Sequence, residues 1–516
     1  MAIMGDSETP MCCEPAFKTK RLPGRGRSVI ASRALAAGEV VLIEQPWALV
    51  LLPEEQHQRC DFDLSTDGKL LHCRATGLRF ASKENQRAAK DLYYEAEVKA
   101  AAAAAGSGHA DTFPLRGWPT TLRLAVRALQ RGAAHGEQPW QQLESHWDEL
   151  TEPRHRELEQ HAARCLDMLA AGLGLLQNQA NPGATEVQQF QAIANISDVA
   201  HFLAALDVNA MTVTDEEQRD LGLGLYLQGA VFNHDEEPNC IQSFVGRQLK
   251  VRTCKAVNAG DELCITYAEL AEMSKTRHDF LSQHYHFRPH LQPQAEQRDA
   301  VLSAILVPPE WSPAERGVGW DAESGVQDLG SAATALVRKV SDLRSQARAN
   351  GEDVQLLLSA WQEATSGQHF RLGEGHILRW TLARELMDAF VASERWQEAL
   401  VFARAVSSTA RHIFPVNWPV VSLSLARLAK LELYFGNFAN ASCCCEEALF
   451  AGGLQPSPSL LCWEDRPILA REIRQVLAQA SAEAQAMGRG LAAKQALQQE
   501  ALANTGAPKV DLDGMD

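Results

Sequence analysis

Hydrophobic and polar positions divide this chain into a first part that mixes strands with helices and a second part that is helical throughout. From Gly24 to Leu52 the text, with SVIASRALAAGEVVLIEQPWALVLL at its centre, sets Val29, Ile30, Val40, Val41 and Ile43 in two short β-branched runs. Such runs predict strands, with Gly38-Glu39 as a hairpin turn between them. Asp91 to about Ala105 reads as a helix that turns Ala-rich and stops at the breaker Gly-Ser-Gly. Apolar residues recur at helical spacing in TLRLAVRALQRG and in ESHWDELTEPRHRELEQHAARCLDMLAAGL, and QNQANPGATE after them reads as a loop. Strand signals return between Leu225 and Tyr267, where QLKVRTCKAVNAGDELCITY alternates and turns at Ala259-Gly260-Asp261.

The segment LVPPEWSPAERGVGWDAESG, rich in Pro, Gly and Trp and without period, predicts a linker. Beyond it, SERWQEALVFARAV and FGNFANASCCCEEALFAGG share an aromatic residue followed three places later by alanine, Trp396/Ala399 and Phe438/Ala441. Small residues at such positions suit stacked helical hairpins or a helical bundle.

A chain of 516 residues is too long for one core and predicts two or three domains. Its net charge of −16 excludes sequence-independent binding of DNA or RNA, which needs a basic footprint, and suits a basic protein or peptide as partner. No apolar run has the length of a secretory signal or a membrane span. Twelve cysteines without a single Cys-x-x-Cys pair point to reduced thiols inside the cell, in the cytoplasm or the nucleus.

Three blocks, GRGRSVIASRALAAGEVVLIEQP, LGLGLYLQGAVFNHDEEPN and LKVRTCKAVNAGDELCITYAEL, together resemble the SET domain. Their spacing, and the helical text from RWQEALVFARAV onward, are similar to the SET-and-MYND lysine methyltransferases. The resemblance implies an α+β fold: a SET-domain β-fold of small sheets with a pseudoknot and helical insertions, followed by an all-α, TPR-like C-terminal domain. It places a disordered N-terminus at 1–20 and a SET domain at 21–294, split by a degenerate MYND-like insertion (57–98) and a helical insert (115–210). A linker at 295–325, the TPR-like domain at 326–487 and a flexible tail at 488–516 would follow.

By the same resemblance Tyr267 is the catalytic tyrosine at the methyl-transfer channel. Gly24, Arg25, Gly26, His201, Asn209, Phe232, Asn233, His234 and Phe287 would surround S-adenosylmethionine, and Tyr285 and Phe287 would join Tyr267 in lining the channel for the substrate lysine. Aromatic rings at such positions attract cations. The family's zinc ligands, however, are replaced. Glu236 stands in Asn-His-Asp-Glu-Glu-Pro-Asn where the family has a cysteine, and Pro289, Leu291 and Gln294 stand where three more would follow. In the MYND-like insertion only Cys60 and Cys73 remain, with Asp63, Thr76, Ala81, Asn85, Tyr93 and Glu97 at or near the other ligand positions. A structural zinc site needs four suitable ligands, so no zinc is expected. Two functions follow: a protein-lysine N-methyltransferase acting on histone or other proteins, or a catalytically weak relative serving as an interaction scaffold. A monomer is expected, with a lysine-bearing protein or peptide as its substrate and no nucleic-acid or membrane partner.

Overall fold

The computed structural model describes residues 15–504 apart from 67, 107–117, 176–183, 290–292, 307–352, 367–370, 416–417, 451–462 and 464. The chain divides into two compact units, Met1–Gln297 and Arg298–Asp516, and the fold is α+β; among the described residues both three-stranded sheets lie in the first.

Strand β1 (Phe17–Leu22) pairs antiparallel with β2 (Gly26–Ala31) from Phe17↔Ala31 to Leu22↔Gly26. Four of the residues expected to be disordered, Phe17 to Lys20, are therefore strand. Their side chains are mostly exposed, so their order comes from the backbone ladder and carries no apolar signature. The connecting turn follows from Leu22-Pro23-Gly24-Arg25. Pro23 presets its own φ, Gly24 supplies φ +71°, and the Arg25 amide donates to the Leu22 carbonyl at 3.2 Å.

The expected hairpin at Gly38-Glu39 does not form. Strand β3 (Val40–Glu44) pairs with β11 (Gln248–Thr253), which also pairs with β10 (Cys240–Val245). A second antiparallel sheet has the order β4 (Ala48–Leu51), β8 (Asp220–Leu225), β7 (Ala210–Thr214). The glycines of LGLGL belong to this central β8, where a Cβ on Gly222 would lie 2.3 Å from the Val50 carbonyl oxygen. The turn expected at Gly260 is present, with φ +93°.

The helical insert packs its own core against β4. Helices α2 (Glu95–Gly106), α3 (Thr120–His135), α4 (Glu152–Gly172) and α6 (Ile196–Asn209) bury Leu124, Leu129, Leu169 and Leu203 almost completely, each contributing about 1.5–3 kcal/mol. The preceding insertion has a small core of Cys60, Leu78, Phe80, Ala89 and Tyr93. It is joined to α3 by Arg127, which reaches Asp61 at 2.9 Å and Glu97 at 2.7 Å, all three only 2% exposed.

Part of the stretch expected as linker is folded. Helix α8 (Pro293–Leu302) buries Leu302, and Ile305–Leu306 pairs with Arg371–Leu372. The remainder, from 307, lies outside the described residues, as do 326–352 of the expected C-terminal domain. The other elements described in the second unit are helices. Trp396 and Phe438 each open a helix, Trp396–Ile413 and Phe438–Phe450. Each of these packs against the helix before it, Ile377–Ala392 and Pro419–Tyr434, with Ala399 and Ala441 fully buried. The last helix, Pro467–Asn504, runs well into the segment expected as a flexible tail. Residues 489–504 include Gly490 but no proline, so nothing breaks the helical period before Asn504.

Candidate active site

The site is built where two short segments lie side by side. Strand β9 (Asn233–His234) pairs parallel with β12 (Cys264–Ile265), and Asn239 fastens them. Its side chain donates to the Glu262 carbonyl at 2.8 Å and accepts from the Cys264 amide at 2.8 Å. Asn239 was not among the residues expected at the site, although its place in Pro-Asn was visible.

Asn233 spends its amide nitrogen on the chain itself. Its Nδ2 donates to the carbonyls of Arg25 and Arg27 at 3.1 Å each, to Ser28 Oγ at 3.0 Å and to Glu262 Oε1 at 2.8 Å. Arg25 completes the tie, with Nε 2.7 Å from Glu262 Oε2 and its terminal nitrogen 3.1 Å from the His234 carbonyl. Gly24 and Gly26 have φ of +71° and +66° with open space around the Cβ position. The turn conformation demands both glycines, and it presents Arg25 over β9. Glu262 is a second site residue that sequence reasoning missed, because the acid joins the arginine only across 237 residues of chain.

His234 is 6% exposed, and burial lowers its pKa to about 4. Its Nδ1 accepts the Tyr267 amide proton at 3.0 Å, which fixes the neutral tautomer with the proton on Nε2. That Nε2 is buried without a hydrogen-bond partner among the described residues. Tyr267 donates its hydroxyl to the Phe232 carbonyl at 2.6 Å, and burial raises its pKa well above the usual phenol range. Around these groups stand the rings of Tyr285, 4.7 Å from Tyr267, and Phe287, 5.9 Å from His234 and 6.4 Å from Tyr267. Phe232 itself is fully buried, edge-on to Phe17.

His201 and Asn209 form a separate group on α6. His201 stacks on Trp147 at 4.1 Å, and His155 stacks on the same indole at 4.2 Å. Asn209 donates to the carbonyls of Glu144 and Ala205. The two groups meet through His286, which lies between Tyr285 and Phe287. Its ring is 5.2 Å from His146, and both histidines approach Glu149 Oε2, at 3.8 and 2.7 Å. Both also hold positive φ, +58° and +49°, in a region that few residues other than glycine adopt.

Several positions at which the resemblance expects lost zinc ligands are bonded to their neighbours. Glu236, 2% exposed, meets Arg277 at 3.3 Å and His278 at 2.8 Å. In the insertion Asn85 Nδ2 donates to Asp63 Oδ2 at 2.6 Å and reaches Cys60 Sγ at 3.5 Å. Burial, with Asp63 beside it, holds Cys60 as a thiol. Burial alone would raise Asp63, but hydrogen bonds from Cys60, Ser65 and Asn85 bring it below the usual carboxylate range. Among the described residues no group of three or more His, Cys, Asp and Glu is placed to hold a metal ion. His290, Leu291 and the side chain of Gln294 lie outside the description.

The arrangement can bind an acceptor at His234 Nε2, surround a cation with three aromatic rings, and offer the lone pairs of a neutral phenol oxygen. A family model for the SET domain matches residues 26–268. The mouse histone-lysine N-methyltransferase SMYD3 is 23% identical over 422 residues, which are 81% of this chain and 88% of that protein. Histone-lysine N-methyltransferase ASHR1 of Arabidopsis thaliana is 22% identical over 453 residues, 81% and 87% of the two chains. A solved structure, the SET domain of LSMT bound to lysine and AdoHcy, aligns over 91% of this chain and 87% of that one, at 12% identity and a TM-score of 0.27.

Proposed function

We propose, from the premise that this chain carries a SET domain and is homologous over most of its length to the SET-and-MYND lysine methyltransferases, that it transfers methyl groups from S-adenosylmethionine to lysine side chains of proteins. The observation that carries the proposal is the environment of Tyr267, a buried phenol anchored to the Phe232 carbonyl and faced by Tyr285, Phe287 and His234.

The residues present fit the cofactor. The buried proton on His234 Nε2 has no acceptor among the described residues, and a polar atom of a bound ligand would satisfy it. Arg25 and the turn at Gly24 and Gly26 would stand at the cofactor's polar end, and Phe287 would lie against its adenine. His201 and Asn209 would border it from the helical insert. When bound, S-adenosylmethionine supplies an electrophilic methyl group on a sulfonium.

The chain's own residues prepare the lysine. Tyr267 and Tyr285 form an apolar channel that strips water from the amine, which lowers the lysine pKa and favours its neutral, nucleophilic form. Because the Tyr267 phenol stays protonated and donates that proton to Phe232, its oxygen orients the amine through its lone pairs and does not act as a base. The rings around it stabilise positive charge at the reacting centre. Substrates are lysine-bearing proteins, met in the cytoplasm or nucleus.

The test is transfer of tritiated methyl from S-adenosylmethionine to lysine-containing peptide arrays by the full chain, with calorimetry of cofactor binding. Label on peptides that is lost when lysine is replaced by arginine is the expected result. A chain that does not bind the cofactor even at about millimolar concentration, an affinity of roughly 4 kcal/mol, refutes the reading and leaves the scaffold.

A further inference from the structure

Helix α7 (Ser274–His284) carries one wall of the channel, yet little in its sequence makes it stable there. It has 11 residues, no side-chain N-cap, and only Ser274, Arg277 and Leu281 buried. An isolated helix of that length is marginal in water, so its place depends on a few tertiary contacts. One of these is ionic. Arg277, 1% exposed, meets Glu236 Oε1 at 3.3 Å and donates also to Ser274 Oγ and the Leu270 carbonyl. His278 meets the same Glu236 oxygen at 2.8 Å.

Glu236 follows His234 by two residues, in a segment fixed to the core by the Asp235 amide bonding to the Ile265 carbonyl at 2.9 Å. Some two turns along α7 from Arg277, roughly 12 Å, the helix is capped by Tyr285, whose ring lies 4.7 Å from Tyr267. Phe287 follows, over His234. One carboxylate thus joins the strand that bears His234 to the helix that presents the facing rings.

We propose that Glu236, held by Arg277 and His278, is a positioning residue that sets Tyr285 and Phe287 against Tyr267 and His234. The proposal rests on the methyl-transfer reading for its catalytic consequence, but its structural consequence is measurable without turnover. Removing the charge frees α7 and the rings beyond it, while the sheets and the helical unit keep their order.

Hydrogen exchange read by mass spectrometry on the full chain tests it. Glu236→Gln keeps the volume and one acceptor but removes the charge. Exchange between Leu281 and Phe287, and at the Tyr267 amide, is expected to quicken about tenfold or more, with helix Ile377–Ala392 unchanged. In turnover, kcat is expected to fall about tenfold with cofactor KM within about threefold. Glu236→Asp, which restores the charge on a shorter arm, is expected to lie between the two. Should Glu236→Gln fail to fold, Arg277→Lys keeps a positive charge without the planar fork and gives the same local pattern more weakly. Exchange that is unchanged at Leu281–Phe287, or raised equally throughout the chain, overturns the proposal. A wild type without methyl transfer refutes the functional reading instead, and the exchange result still decides the positioning role.

Discussion

Tyr267→Phe separates binding from chemistry at this site. The substitution removes one oxygen and keeps the ring, so the contacts with Tyr285 at 4.7 Å and Phe287 at 6.4 Å persist. It also deletes the bond to the Phe232 carbonyl at 2.6 Å. Losing that bond and leaving the carbonyl unpaired costs about 1–2 kcal/mol of stability, visible as a lowered urea midpoint with an unchanged slope. Cofactor affinity rests on other groups and is expected to stay within about threefold. Methyl transfer loses a preorganised oxygen at the reacting centre and is expected to fall roughly 10²-fold, the scale on which single electrostatic donors act in catalysis. Calorimetry, single-turnover transfer and urea titration on the same preparation check all three. A variant that transfers methyl at the wild-type rate, or that loses affinity and rate in equal measure, refutes the role assigned to the phenol.

Asn233→Ala releases the four bonds that Nδ2 makes to residues 25–28 and Glu262, and S-adenosylmethionine affinity measured by calorimetry is expected to fall about tenfold or more. Arg127→Met leaves Asp61 and Glu97 buried without their cation, and chemical unfolding is expected to show a loss of about 3–5 kcal/mol. Metal analysis of the purified chain is expected to return no stoichiometric zinc, and a strong chelator to leave the melting temperature unchanged; one tightly held zinc per chain contradicts this. Acid stability has a defined sign: burial holds His234 and His376 at about 4, below the ordinary 6.5, so only the unfolded chain takes up protons between those values. Stability is full above about pH 6.5 and falls as pH drops toward 4, by about 3 kcal/mol per histidine, one in each unit; His376→Gln is expected to flatten the slope for the second unit.

Much of this molecule was legible in the sequence wherever the signal was local. The turn at Gly260, the helical text around Trp396 and Phe438, and the Asn233-His234 pair all announce themselves within a few residues. Strand partners did not. Gly38 looks like a hairpin turn because two β-branched runs flank it, yet β3 pairs with β11 some two hundred residues later. Strand β1 was missed because its outward Lys18, Lys20 and Arg21 hide a backbone ladder that needs no apolar face. At the site, the residue types were visible but their bonds were not. Asn233 reads as a ligand donor, and its Nδ2 proves to be a brace for the turn that carries Arg25. Glu262, Asn239 and Arg277 reach the site only through the fold.

The two places where the resemblance implies lost zinc ligands share one physical solution, and it bears on how the site keeps its shape. At each, a residue at or near a ligand position of the family is a carboxylate, Glu236 or Glu97, and each is buried against an arginine, Arg277 or Arg127. A guanidinium can do part of what a tetrahedral ion does. It is always charged, it directs several bonds in a fixed plane, and it joins segments distant in sequence. Its limits differ as well. A buried pair holds only while both partners remain, since either charge alone is costly. It needs no deprotonated thiol and is therefore indifferent to chelators and to thiol oxidation. Arg127 carries this further than Arg277, because it also donates to the Leu49 carbonyl and lies 3.7 Å from the centre of the Tyr93 ring. The insertion is thus tied to the helical insert at several points, whereas Arg277 and His278 of α7 both meet the same Glu236 oxygen. That asymmetry is why loosening is expected first at Tyr285 and Phe287, the proposed channel wall, and last in the insertion.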